Sequence, residues 1–401
     1  MAEADWMQSN FDVIVVGSGP AGSAAAVQAR RAGLSVALVD KATFPRKKLC
    51  GGLVTGRSRK AIKAIFGAEV EGQMFLKATE MRFSAKGRLL ADLADGPPVH
   101  LTMRWDFDEW LHGFALEAGA VPFLGQGFTA IDETARRITL KDGTALHYGV
   151  LIGADGVNSA VARALFGRPF DPETIGFGLE IEAPGTAMHD YVEVDLDAAV
   201  WGYGWAFPKH HSTTIGVGGI KSRNADMKAH MAAYLERCGL EPDAIPYKGQ
   251  FLPFGDFKKV PGRGPVLLCG DAAGLVDPIT GEGIALAMES GALAATAAAE
   301  ALAAQAPETA LRRYRTALRP MHQSLREARM WRSLMFPKAM REVFLSAFAR
   351  GTSLQNKYLR LLAGEIEYRD LRLMFLRKAP KAAIRAIGRK LRPGTRAEGR
   401  P

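Results

Sequence analysis

The fold is decided near the start of the chain, where residues 11–40 read FDVIVVGSGPAGSAAAVQARRAGLSVALVD. Residues 11–16 form a continuous apolar run typical of a buried β-strand, and residues 21–32 predict a helix that ends at Gly33. Residues 34–39 predict a second strand. A strand, a helix and a second strand in this order predict a β-α-β unit with a parallel sheet.

A glycine-rich turn separates the first strand from the helix, and its spacing is that of the G-x-G-x-x-G dinucleotide fingerprint. Glycines let the backbone approach a pyrophosphate, the helix N-terminus offers N–H groups, and an acidic residue after the second strand accepts hydrogen bonds from the adenosine ribose. The fingerprint alone does not distinguish NAD from FAD. The residues that we assign to the ADP half of the dinucleotide are Gly17, Gly19, Pro20, Ala21, Gly22, Asp40 and Lys41.

The composition predicts a globular chain. Its 401 residues are 48% hydrophobic and 23% charged, which allows a substantial core. The three cysteines at 50, 238 and 269 are too few and too scattered for a disulfide framework. The sequence has no close cluster of Cys and His residues, so we predict no metal site. We therefore expect a reducing, cytoplasmic compartment, with neither a cleaved leader nor a membrane-spanning segment.

Two later segments favour FAD. Residues 267–274, LLCGDAAG, are similar to the second FAD motif of flavoprotein hydroxylases and their relatives, and the resemblance assigns Asp271 to the ribityl chain. Residues 152–159, IGADGVNS, resemble the third motif of those proteins and add Asp155 and Gly156, although a plain turn is the alternative role for Asp155. Three motifs in the expected order predict noncovalently bound FAD.

A further loop, residues 278–283, precedes a helix predicted to run to about residue 305. A helix N-terminus at the pyrimidine edge of a flavin stabilises the negative charge that the reduced ring carries. The resemblance also assigns Arg104 to FAD, with a plain surface arginine as the alternative. The residues assigned to the flavin by these arguments are Pro278, Gly281, Gly283, Ile284, Arg104 and Phe128.

The most specific segment is Tyr203-Gly204-Trp205-Ala206-Phe207-Pro208, followed after seven residues by Gly216-Val217-Gly218. It resembles the Y-x-W-x-F-P…G-x-G signature of the geranylgeranyl reductase family. Cys50-Gly51-Gly52 is similar to the flavin-proximal cysteine motif of that family, and we assign these three residues to the flavin site as well. The resemblance covers most of residues 11–305. It implies an FAD enzyme that saturates double bonds of a prenyl chain on a lipid, pigment or quinone.

These residue types suit that chemistry, because an isoprenoid double bond must be held by apolar walls rather than by hydrogen bonds. Tyr203, Trp205 and Phe207 alternate along one strand and can form such a wall; an aromatic stripe in the core of a sheet is the alternative. We assign Gly216 and Gly218 to the same substrate site. Cys50 is a candidate proton donor, with Tyr203 or water as alternatives, or it is only a small residue beside the flavin.

Other functions use the same scaffold. Aromatic hydroxylases share it, and halogenases carry W-x-W-x-I-P in a comparable place, so a flavin monooxygenase acting on a hydrophobic or protein-borne aromatic substrate is the alternative. A flavin-binding or prenyl-lipid-binding protein without turnover is a third hypothesis. Only one strong dinucleotide fingerprint is present, so NADPH, if it is the electron donor, binds without a domain of its own, and ferredoxin is another candidate.

Most of the net charge of +10 is carried by one segment, since residues 372–401 contain ten Lys/Arg against one acid. Their apolar residues recur at nearly helical spacing, which outlines a basic amphipathic helix, although Pro380, Gly388 and Pro393 leave a solvated tail as the alternative. We expect the tail to dock on an anionic membrane surface, and we expect no nucleic-acid partner. The oligomeric state is left open.

The predicted architecture is an α/β (α+β) chain with a Rossmann-type FAD-binding domain, a β-sheet substrate domain and a helical C-terminal region. The FAD-binding domain takes three separate segments of the chain: 1–74, 103–168 and 258–307. The substrate domain takes strands in 75–102 and the sheet in 169–257. Residues 308–401 form the helical region with its basic tail.

Overall fold

The computed structural model describes residues 9–94, 96–185, 188–242 and 244–378. For residues 374–378 it describes the backbone only. The strands are β1 (Asn10–Val16), β2 (Val36–Asp40), β3 (Leu53–Val54), β4 (Leu76–Ala78), β5 (Met81–Ala85), β6 (Arg88–Leu93), β7 (Val99–Leu101), β8 (Val121–Leu124), β9 (Phe128–Asp132), β10 (Arg137–Leu140), β11 (Ala145–Gly153), β12 (Gly176–Pro184), β13 (Val192–Asp195), β14 (Gly202–Pro208), β15 (Ser212–Ile220), β16 (Lys248–Leu252), β17 (Gly262–Arg263) and β18 (Val266–Leu268).

The helices are α1 (Pro20–Arg31), α2 (Gly56–Phe66), α3 (Arg104–Glu117), α4 (Ala160–Phe166), α5 (Met227–Arg237), α6 (Ile284–Ala303), α7 (Ala310–Ala317), α8 (Arg319–Met335), α9 (Lys338–Arg350), α10 (Thr352–Leu362) and α11 (Tyr368–Lys378). Short 3₁₀ turns lie at Lys221–Arg223, Gly270–Ala273 and Pro307–Thr309. The predicted architecture is confirmed: a Rossmann-type unit, β-sheets and a helical C-terminal region make up the described chain.

The first sheet contains the predicted β-α-β unit. Its strand order is β17-β18-β11-β1-β2-β8, with β1 parallel to both β2 and β11, and β10 and β9 continue from β11. Strand β1 lies in the middle of this parallel sheet, which explains why residues 11–16 form a continuous apolar run. Helix α1 packs against α6, and the backbones come so close that a Cβ at Gly291 would lie 2.0 Å from the carbonyl oxygen of Ala21.

The second sheet has seven strands in the order β16-β12-β15-β14-β13-β5-β6, antiparallel except for the β13–β5 pair. One of its faces packs on α5, through a core that includes Leu179, Ile215 and Val217. The alternate residues of the same strands therefore point to the other face. Helices α9 and α10 contribute Phe348 and Leu359 to a core shared with β5 and β14.

Residues 75–102, which we predicted to supply strands to the substrate domain, are divided between two sheets. Strands β5 and β6 join the second sheet, whereas β4 and β7 form a separate three-stranded sheet with β3. Gly52 precedes β3 in a positive-φ conformation, and a Cβ there would lie 2.0 Å from the carbonyl oxygen of Thr102. This third sheet therefore fixes the chain that follows Cys50.

Candidate active site

The glycine-rich turn has the close backbone contacts that a dinucleotide fingerprint requires. Gly17 has φ of +98° and donates its N–H to the carbonyl of Val39 at 2.7 Å. A Cβ at Gly22 would lie 1.7 Å from the Gly17 oxygen. The first turn of α1 can therefore pack against this loop only if residue 22 is glycine. No side chain caps the N-terminus of α1, where Gly19 is the N-cap and Pro20 is the first helical residue. The N-terminus is thus free to bind an anion.

Asp40 ends β2 beside this turn, as the fingerprint predicts. Its carboxylate accepts the N–H of Ser18 at 2.7 Å and the N–H of Ala42 at 2.9 Å, which fixes the carboxylate in place. The Arg46 guanidinium lies 4.0 Å from Asp40 and would be 3.1 Å from a Cβ at Gly19. A cation beside an uncapped helix N-terminus suits a pyrophosphate, so these residues fit the ADP half of FAD.

The other predicted cofactor residues lie on neighbouring loops, each with its own contacts. Asp155 accepts hydrogen bonds from the Ser159 hydroxyl at 2.5 Å and the Ala160 N–H at 2.6 Å, so its carboxylate holds the start of α4, and Gly156 follows with φ of +78°. Asp271 lies in the 3₁₀ turn after β18, and a Cβ at Gly283 would be 3.8 Å from its Oδ1. Their roles toward FAD stay predictions.

Arg104 is buried at the start of α3. It makes two hydrogen bonds to Asp108, of 2.7 Å from Nε and 2.9 Å from Nη2. Burial alone would lower the pKa of this guanidinium, but Asp108 and the adjacent Cys50 raise it above its ordinary value. Arg46 contacts the same carboxylate at 3.0 Å. Asp108 therefore joins the arginine beside the phosphate turn to the arginine beside Cys50.

The loop before α6 approaches the second sheet at Tyr203, whose hydroxyl donates to the carbonyl of Thr280 at 3.0 Å. Gly281 has φ of +72°, and a Cβ there would lie 2.1 Å from the Tyr203 oxygen. At the helix itself, the Glu282 carboxylate accepts the N–H of Ala285 at 3.0 Å. Pro278, within this loop, and Ile284, the first residue of α6, are both buried. Loop 277–283 thus links the two parts of the candidate site.

The strand register explains the spacing between the aromatic segment and the two glycines. Tyr203 is paired with Gly218 across β14 and β15, and Trp205 is paired with Gly216. A Cβ at Gly216 would lie 2.4 Å from the Trp205 ring, and one at Gly218 would lie 3.4 Å from it. The glycines therefore make room for the indole, which lies across β15. Their assignment to the substrate itself stays a prediction.

The Cys50 loop meets this aromatic face. A Cβ at Gly51 would lie 2.7 Å from the Phe207 ring, so only glycine allows the loop to pack on that ring. The N–H of Gly52 points to the Cys50 sulfur at 3.5 Å. The sequence motifs for Cys50 and for the aromatic segment thus come together in one site.

Two further predicted residues, Lys41 and Phe128, lie nearby on the first domain. Lys41 is exposed in the loop after β2, and Phe128 is half-buried at the start of β9, beside the core of the first sheet. Neither makes a contact that decides its role.

Sequence reasoning missed Glu180 and Lys209. Glu180 lies on β12 and accepts the N–H of Cys50 at 3.1 Å; burial raises its pKa to about 7. Lys209 follows β14 and donates to the carbonyl of Gly51 at 2.7 Å; burial lowers its pKa to about 8. Sequence reasoning also missed Arg46, because it is one of several basic residues in the loop after β2. Only the position of Lys209 directly after Pro208 could have signalled it.

An apolar cavity lies beside Tyr203, between the second sheet and the C-terminal helices. Phe83, Tyr203, Phe348 and Tyr358 are among the residues that line it. Apolar and aromatic walls of this kind are typical of a site for a hydrophobic small molecule.

The fold and these turns define a flavoprotein-type oxidoreductase. Residues 12–114 match the family model for FAD-dependent oxidoreductases, and residues 261–328 match an FAD-binding domain. The menaquinone reductase of Mycolicibacterium smegmatis is 32% identical over 311 residues, 71% of this chain and 75% of the relative. The geranylgeranyl diphosphate reductase of Rhodobacter capsulatus is 32% identical over 295 residues, 70% of this chain and 73% of the relative.

A solved structure agrees in fold. The geranylgeranyl bacteriochlorophyll reductase-like protein of Thermoplasma acidophilum superposes with a TM-score of 0.77 at 20% identity, covering 92% of this chain and 98% of that protein. The chain belongs to the geranylgeranyl reductase family of FAD-dependent oxidoreductases. The resemblance inferred from the sequence motifs is confirmed.

Two kinds of feature are absent from the described residues. Among them, no group of three His, Cys, Asp or Glu side chains is arranged to hold a metal ion. None of the described helices has both the length and the apolar character that crossing a bilayer requires.

Proposed function

We propose that this protein uses FAD to reduce carbon–carbon double bonds of a prenyl chain carried by a lipid, pigment or quinone. The observation that carries the proposal is the apolar cavity whose wall includes Tyr203, because the same side chain contacts loop 277–283. An apolar group bound against Tyr203 would therefore also lie beside the loop that we assign to the flavin.

The chemistry divides between cofactor and protein. Bound FAD, once reduced, supplies a hydride. The chain itself excludes water and positions the alkene with apolar and aromatic side chains, since an isolated double bond offers no group for hydrogen bonding. Trp205 is suited to this role because its ring is 7% exposed and fixed over Gly216. A proton donor for the second carbon must also come from the protein or from water.

The test uses protein with its FAD, reduced without oxygen and mixed with prenyl substrates of different head groups. Geranylgeranyl diphosphate, a menaquinone and a digeranylgeranyl phospholipid provide three different head groups. We expect flavin reoxidation and a product heavier by two hydrogens for each bond reduced, measured by mass spectrometry. Oxygen uptake with a hydroxylated product would instead support the monooxygenase, and no turnover with any substrate would support the binding protein.

Replacing Trp205 with Ala tests the wall of the site. We expect W205A to slow turnover by about 100-fold through loss of substrate positioning, a size typical of such misplacement, while FAD content stays unchanged. W110A is the matched control, because Trp110 packs on Phe75 and Phe114 beside the core of the first sheet rather than on residues that line the cavity. Equal turnover by W205A and the unsubstituted enzyme would contradict the role of this wall.

The electron donor and the membrane are further parts of the proposal. NADPH is the donor that we propose, with ferredoxin as the alternative, and the rate of flavin reduction by each under anaerobic conditions distinguishes them. A prenyl-lipid substrate lies in a bilayer, so we also propose that the protein binds peripherally to membranes in the cytoplasm.

A further inference from the structure

Glu180 is a buried carboxyl group that no sequence motif explains. Glu180 is only 7% exposed. One of its carboxyl oxygens, Oε1, accepts the N–H of Cys50 at 3.1 Å. The other oxygen, Oε2, is buried and has no hydrogen-bond partner within the described part of the chain. An unpartnered buried oxygen costs free energy of folding, so it is a candidate for a role in binding or chemistry.

The strand register places Glu180 on the face that carries the aromatic wall. Glu180 is paired with Gly216 across β12 and β15, and Gly216 is paired with Trp205 across β15 and β14. Residues directly opposite each other in a ladder point to the same side of the sheet. Glu180 and Trp205 therefore flank Gly216 on one face, roughly two strand spacings or about 10 Å apart along the backbone. Cys50 lies against the same face.

Burial keeps Glu180 partly protonated near neutral pH. Burial, the largest effect, raises its pKa to about 7, and Glu182 raises it further, while the Cys50 N–H, Lys209 and Lys248 lower it. An ordinary glutamate would be ionised at this pH. A carboxyl whose pKa lies near the working pH can both donate a proton and regain it, which is the requirement for a general acid.

We propose that Glu180, through Oε2, donates the proton that completes saturation of the double bond; this role rests on the proposed function. Reduced FAD, when bound, would supply the hydride for one alkene carbon. As the π bond is lost, the O–H bond of Glu180 breaks and its hydrogen forms the second C–H bond. The carboxylate that results regains a proton from water, and the N–H of Cys50 holds the carboxyl group in place throughout.

Replacing Glu180 with Gln separates proton donation from positioning. The E180Q side chain keeps an oxygen that accepts the Cys50 N–H but carries no acidic proton. We expect kcat to fall by about 10²–10⁴, as for loss of a general acid, with FAD content and thermal stability preserved. The matched control is E193Q on β13, where Glu193 is paired with Ala206 on the opposite face of the sheet and accepts a hydrogen bond from the Ser84 hydroxyl at 3.1 Å. E193Q is expected to keep turnover close to that of the unsubstituted enzyme.

The dependence on pH provides a second measurement. Because the acid form of Glu180 is lost as the pH rises through about 7, kcat of the unsubstituted enzyme should fall above that pH, and E180Q should show no such fall. If the thiol of Cys50 were the donor, C50A would lose the factor of about 10²–10⁴ in kcat and E180Q would not. That result, or an E180Q enzyme with unchanged kcat, would overturn the proposal.

The carboxyl group can also be observed without turnover. Carbon-13 NMR of glutamate-labelled resting protein should show one carboxyl signal that titrates near pH 7 and is missing in E180Q. A Glu180 signal that titrates near pH 4 would overturn the proposal even if alkene reduction were established. If the signal titrates near pH 7 but the unsubstituted protein reduces no prenyl substrate, the proposed function fails and the donor role fails with it.

Discussion

Gly19 differs from the other two fingerprint glycines because its backbone accepts a side chain. Its φ is −82°, and the nearest atom to an added Cβ is the flexible end of Arg46 at 3.1 Å. We expect G19V to fold but to block the approach of a pyrophosphate, so that FAD binds at least about tenfold more weakly, which corresponds to ~1.4 kcal/mol. Flavin absorbance after gel filtration and a titration of FAD into apoprotein measure this change.

Two other glycines provide the comparisons for G19V. Gly113 lies in α3 with no atom near its missing Cβ, so G113A should keep FAD and folding. A Cβ at Gly22 would lie 1.7 Å from a backbone oxygen, so G22A should fail to fold normally. A G19V protein with unchanged FAD affinity would show that this turn does not hold the pyrophosphate.

At this scale, sequence reasoning could predict residues that belong to a motif but could not predict residues that meet only in the folded chain. Glu180 is separated from Cys50 by 130 positions, and Lys209 is separated from Gly51 by 158. An isolated Glu or Lys usually lies on the surface, so nothing in the sequence marks either residue as buried. Only the register of β12, β14 and β15 brings them together.

At the scale of secondary structure elements, α11 supports the loop assigned to the flavin. Tyr368, the first residue of α11, donates its hydroxyl to Asp277 at 2.9 Å, and the same carboxylate accepts the N–H groups of Ile279 and Thr280. We expect Y368F to weaken loop 277–283, at a cost of about 1–3 kcal/mol for the lost bond to a buried carboxylate. Hydrogen exchange of the loop amides and the melting temperature measure the effect.

The control for Y368F is Y148F on β11. Tyr148 is 4% exposed and its hydroxyl has no hydrogen-bond partner within the described part of the chain, so removing that oxygen should leave loop 277–283 unchanged. If Y368F and Y148F gave the same exchange rates in the loop, α11 would not support it.

The elements themselves could be predicted where the sequence pattern is local. The apolar run of β1, the helix start at Pro20 and the long apolar α6 each carry their own signal in neighbouring residues. The pairing of β3 with β7 and the parallel pairing of β13 with β5 join segments far apart in the chain, where no local pattern determines the partner. Thus the predicted substrate-domain segment 75–102 is shared between two sheets.

At the scale of the whole molecule, apolar side chains are exposed beside the wall of the cavity. Met340 is 46% exposed and Val343 is 60% exposed on α9, and Leu334 on α8 is 40% exposed. Met335 and Phe344, on the same two helices, line the cavity. Exposed apolar residues on the helices that line a hydrophobic site are typical of a surface that contacts lipid. This surface and the basic tail are two separate candidates for membrane contact.

The predicted tail helix begins within α11 but lies mostly in residues 379–401, outside the described residues. Deletion of 379–401 therefore preserves all of α11 and its contact with Asp277, whereas deletion from residue 372 would cut the helix. The deleted segment carries seven Lys/Arg against one acid. Each basic side chain near an anionic surface contributes about 1 kcal/mol before screening by salt.

We expect the full chain to sediment with anionic liposomes at low salt, to be released at high salt, and to lose most of this binding when residues 379–401 are deleted. Neutral liposomes are the control, because they lack the charge that attracts a basic segment. M340E combined with V343E tests the other candidate, since charges on α9 would oppose insertion of that face. If the truncated protein sediments as well as the full chain and the double variant does not, the contact with the membrane is made by α9. Because the exposed residues of α9 are apolar, we would then expect binding that high salt does not release.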